Sequence, residues 1–79
     1  MNDKWNNTLR DLERTHLSCA SEHGEAALSR HIRRMLGDLI PATIAGEVTQ
    51  AVSNKISARA GKLANQIKER RTLRRRGWL

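Results

Sequence analysis

AGEVTQAVSNKISARAGKLANQI, residues 45–67, decides how this chain folds. Counting from Ala45, apolar or small side chains recur at Val48, Val52, Ile56, Ala60, Leu63 and Ile67. The mean step is roughly 3.67 residues, the eleven-residue repeat of a nearly straight α-helix. A strict heptad seam would instead put Lys55 and Arg59 in the core, so a left-handed two-stranded coiled coil is not expected. Gly46, Ala60, Gly61 and Ala64 leave little bulk along this helix and would let another backbone approach closely.

Working upstream, Pro41 lacks an amide hydrogen and clashes with the preceding turn, so it is expected to break or kink the chain there. Before it, residues 25–40 predict a second helix with Leu28, Ile32, Met35 and Leu39 on one face and Leu36 and Ile40 beside it. That stripe is too wide for one neighbour. It predicts a helix sandwiched between two others, from the same chain or a second copy. A first helix is expected to start near Asn2 or Asp3, with Trp5, Leu9 and Leu12 as its apolar positions. The same spacing continues through His16, Cys19 and His23, and Gly24 can take the left-handed conformation that ends a helix.

With no Phe or Tyr, one Pro and no alternating β-branched run, the fold class is all-α. The expected architecture is a helical hairpin or three-helix unit with a long C-terminal helix. A domain of 79 residues buries only about 60% of its unfolded surface. One cysteine allows no internal disulfide, so dimerisation is the expected reinforcement. Its interface is expected at Leu28, Ile32, Met35, Leu39, Val48, Val52, Ile56 and Leu63.

Charge separates the chain into unequal parts. Residues 1–27 carry three Lys or Arg against five acids, whereas residues 51–79 carry nine against Glu69 alone. Beyond Ile67 the positions that continue the apolar stripe are Arg70 and Arg74, so the packed body is expected to span residues 1–67. Residues 68–79 then form an arginine-rich extension that projects as helix or orders on binding. Guanidinium forks match phosphate, and a run of them binds polyanions with release of counterions. Phosphate contact is therefore expected from Lys68, Arg70, Arg71, Arg74, Arg75 and Arg76, with Lys55, Arg59 and Lys62 extending the footprint and Trp78 stacking on a base. The partner is RNA or DNA, and the expected role is that of a small nucleic-acid-binding regulator.

Three alternatives compete with that reading. A solvated basic tail needs no partner. A membrane-surface helix is disfavoured because apolar residues thin out where the charges concentrate. The third is a non-enzymatic adaptor or inhibitor, of the kind a phage or plasmid encodes, that docks on an acidic groove of a partner protein.

No basic segment followed by an apolar run opens the chain, and no apolar run nears the roughly 20 residues that span a bilayer, so a cytoplasmic location is expected. His16, Cys19 and His23 stand three and four residues apart, but a single ion would reach only a neighbouring pair, so packing explains them better than zinc. No phosphate-cradling glycine loop, confined carboxylate pair or cofactor motif is present, and no catalysis is expected.

Overall fold

Two polar residues set where the long helices begin. Ser21 accepts a hydrogen bond from the Gly24 amide (3.0 Å), and Thr49 accepts one from the Val52 amide (3.2 Å), each satisfying an amide that the first helical turn leaves unpaired. In the computed structural model, which describes residues 4–17 and 21–77, these caps start α2, Glu22–Ile44, and α3, Gln50–Arg75. A shorter α1, Lys4–Arg14, precedes them. No strand occurs among the described residues.

The turn between α2 and α3 is built on Gly46, whose φ of 78° is the left-handed conformation that side chains resist. Its amide donates to the Thr43 carbonyl and the Glu47 amide to the Ala42 carbonyl, a Schellman pair that satisfies the last carbonyls of α2. Gly46 is thus a stop signal for α2, not part of α3. Pro41 does not break α2 as expected: the helix continues through it to Ile44. The carbonyl left without a donor is that of Gly37, four residues earlier at an exposed position, where water can serve it. Gly24, expected to end the first helix, instead lies in the opening turn of α2, and α1 stops ten residues earlier.

α3 runs antiparallel to α2. Near the turn, the Thr43 and Ser53 hydroxyls lie 3.0 Å apart. At the far end, Glu25 of α2 meets Arg70 and Arg74 of α3. α1 lies alongside and runs parallel to α3, with Trp5 near Val48 and Val52 and its last turn near Arg59. Trp5 and Thr8 also border a cleft shared with His31 and Met35 of α2, so α1 covers one side of the α2–α3 pair. At 1.5 Å per residue, α3 is about 39 Å long, which accounts for most of the molecule's 46 Å long axis.

Trp5, Leu12, Leu17, Ile32, Met35, Leu39, Ala42, Val48, Ile56, Ala60, Leu63 and Ile67 form one continuous core, with Leu9, Leu28, Leu36 and Val52 packed against it. The periodicity of residues 48–67 therefore marks the buried face of α3. The core part of the α2 stripe is accounted for within the chain, by α3 and by Trp5 of α1, which shares a cleft with Met35, whereas Leu36 at its edge is half-buried and Ile40 exposed. Of the eight residues expected to meet a second copy, Ile32, Met35, Leu39, Val48, Ile56 and Leu63 are buried within the single chain. Leu28 and Val52 pack on that same core. The reason offered for a dimer at those positions is thereby removed.

Leu63 is fully buried at the middle of α3. Leu63→Ala is expected to cost about 2–5 kcal/mol in urea unfolding, while Ala58→Ser, exposed on the same helix, should stay within about 0.5 kcal/mol.

Candidate nucleic-acid interface

The arginine-rich segment does not leave the body at Ile67. Ile67 is the last buried apolar residue of α3, but the helix continues unbroken to Arg75 and ends at Gly77, whose φ of 77° closes it. Arg70 and Arg74 occupy the positions where the apolar stripe would continue, and there they meet a carboxylate. Arg70 Nε donates to Glu25 Oε2 at 2.7 Å. The two Nη atoms of Arg74 form a fork on Glu25, at 3.0 Å to Oε1 and 2.9 Å to Oε2. The Glu25 side chain is 0% exposed, while those of Arg70 and Arg74 are 23% and 26% exposed.

A buried carboxylate would ordinarily resist ionisation, but these charge-assisted bonds outweigh that effect. Hydrogen bonds from Arg74 and then Arg70 hold the Glu25 carboxyl well below its ordinary 4.5, at about 2, against the opposing pull of desolvation. The same contact raises the Arg74 pKa. Glu25 is the functional-site residue that sequence reasoning missed. Its signal was available: it sits three residues before Leu28 and seven before Ile32, on the face that the apolar residues of α2 define.

Arg59 is also committed to the fold. Its Nε donates to the Leu12 carbonyl and its Nη2 to the Thr15 carbonyl, both at 3.0 Å, so it caps the C-terminal end of α1. Arg59 further lines a cleft of about 450 Å3 between α1 and α3, together with His16, Lys62, Gln66, Glu69 and Arg70. His16 and His23 are both exposed and lie on different segments. Cys19 lies outside the described residues, among which no group of His, Cys, Asp or Glu has metal-binding geometry.

The remaining cations are exposed, but not on one surface. At about 100° per residue, Lys55 and Lys62 lie on the flank of α3 that carries Arg59 toward α1. Lys68, Arg71 and Arg75, spaced three and four residues apart, form a row on the opposite flank. Arg33 of α2 is a further exposed cation that the sequence reading did not include. Arg76 is exposed at the helix end, and Trp78 lies outside the described residues. No helix of the described residues is long and apolar enough to cross a membrane. No protein-family model matches the chain, and neither the curated proteins nor the solved structures hold a significantly similar one.

The Glu25 contact predicts an acid transition. Because the folded-state carboxyl titrates below the ordinary value, its stabilising contribution is complete above about pH 4.5 and disappears as pH falls toward 2. Melting curves from pH 6 down to pH 2 should therefore show Glu25→Gln already destabilised at pH 6, and its difference from the native chain shrinking with acid. At pH 6 the loss should exceed the ~1 kcal/mol expected for removing a cap by Ser21→Ala.

Proposed function

We propose that the chain is a non-catalytic nucleic-acid-binding protein that uses the C-terminal end of α3 to contact backbone phosphates. The observation that supports this is the division of labour among the arginines. Arg70 and Arg74 are turned onto Glu25, so the segment holds its helical form through Arg75. Lys68, Arg71 and Arg75 are then displayed at fixed spacing on an exposed flank, with Arg76 at the tip. A preformed cationic row forgoes much of the ordering cost that a disordered tail would meet on binding. Lys55 and Lys62 supply a second, separate flank that extends the footprint around the helix. Arg70 and Arg74 remain about a quarter exposed and border the footprint without leaving Glu25.

Contact of this kind is with phosphate, which secures affinity and position but carries no sequence information by itself. The proposed role is accordingly that of a regulator that recognises the backbone and its shape.

The test is binding of the intact chain to labelled structured RNA and duplex DNA over a salt series. Affinity should fall log-linearly with salt, and Lys68→Ala, Arg71→Ala and Arg75→Ala together should flatten the slope on duplex DNA by about 0.9 for each phosphate contact removed. The ratio of RNA to DNA affinity identifies the target. Absence of binding to either at near-physiological salt refutes the proposal and directs the search to an acidic protein surface.

A further inference from the structure

Two large apolar side chains remain conspicuously exposed among the described residues, and they are neighbours. Ile40 is 65% exposed and Ile44 82% exposed, four residues apart on α2. Leu36, half-buried one turn earlier, completes a ridge of i, i+4, i+8 spacing along the outside of the helix. Beside it runs the row Arg33, Gly37 and Pro41, all exposed. A methyl group built on Gly37 would meet nothing within 4 Å, so the fold of the single chain does not account for a glycine at this mid-helix position, which lowers helix propensity. What Gly37 does provide is a low point in the groove next to the ridge.

We propose that this ridge is where a second copy of the chain docks, α2 against α2, through a two-fold axis near Ile40. Ridge and groove are both present on the one surface, which is the requirement of a self-complementary contact. Packing i±4 ridges of two helices into each other's grooves gives a steep crossing of about 50°, so only about two turns of each helix meet. That matches the extent of the patch, from Leu36 to Ile44. Ile40 enters the groove at the partner's Gly37, and Leu36 approaches the partner's Ile44.

Charge selects the antiparallel arrangement. Arg30, Arg33 and Arg34 crowd the N-terminal half of α2, and a parallel pairing would set them against their own copies. The opposite end of α2 has no cation in its last turn and is followed by exposed Glu47. The two-fold therefore brings Arg33 toward the negative end of the partner's α2 dipole. A longer helix laid lengthwise along α2 would instead run from the apolar ridge directly onto Arg33 and Arg30. This dimer differs from the one expected from the core positions of α2 and α3, and it stands independently of nucleic-acid binding.

The experiment is sedimentation equilibrium of the full chain from low to high micromolar concentration, compared with Ile40→Glu/Ile44→Glu. Both residues are exposed, so the variant should retain its helical circular dichroism. The native chain should pass from its 9.0 kDa monomer to twice that mass, and the variant should remain monomeric over the range. In a Cys19→Ser background, Ile40→Cys should form an intermolecular disulfide under mild oxidation, while Asn65→Cys, exposed on the outer face of α3, should not. A native chain that stays monomeric overturns the proposal and leaves the ridge to a different protein. So does a dimer that the double substitution leaves intact, or equal cross-linking at both cysteines.

Discussion

The Glu25 carboxylate, fully enclosed and held by two guanidinium groups, is the constraint on which the arrangement of α2 and α3 depends. A buried ion pair is weak as a source of net stability, since apolar groups of equal volume often do as well. Its contribution lies in register. Sliding α3 by one turn would carry one of the two arginines out of reach and leave the enclosed carboxylate only half satisfied, a larger penalty than a displaced leucine. Thr43 and Ser53 impose the same alignment at the other end of the hairpin. The two polar contacts bracket an apolar interior that would by itself tolerate more than one register.

The same contact determines what happens to a dense cluster of positive charge. Six cations within nine residues, 68–76, repel one another, and an isolated helix carrying them would fray. Glu25 neutralises part of this charge from the inner side, and the cations near the helix C-terminus benefit from its dipole. Order in the basic segment is thus a tertiary effect imposed by α2. The cationic end is continuous with the packed part of α3, and the surface it offers to solvent is chiefly the four cations that Glu25 does not engage.

Much of this was legible in the residues. The spacing from Val48 to Ile67 identified the buried face of α3, and the breadth of the α2 stripe was read as two packed neighbours, although Ile40 at its edge is exposed. The stripe could not say whether those neighbours belonged to the same chain, because apolar periodicity reports burial without naming the partner. Pro41 did not end α2, because the one hydrogen bond it removes is that of exposed Gly37 and the packing on either side holds the helix. Gly24 also misled: glycine closes some helices and sits harmlessly in the first turn of others. Arg59, Arg70 and Arg74 were read as surface charge on composition, but each occupies a position where geometry brings an acceptor within reach. Positive charge on the inner face of a helix is a statement about its neighbours, and the matching acid lay 45 residues away from Arg70.

The Arg59 cap on α1 has a consequence for the order in which the structure assembles. Its acceptors lie 47 and 44 residues earlier in the chain, whereas α2 and α3 are joined by a short turn whose hydrogen bonds span only a few residues. Closing the short loop loses less chain entropy than closing the long one. The α2–α3 hairpin is therefore the unit that can form early, and α1 has no docking surface until Val48, Val52 and Arg59 are already aligned. During synthesis α1 emerges before α3 and must wait for it, with Trp5 and Leu12 exposed in the interval.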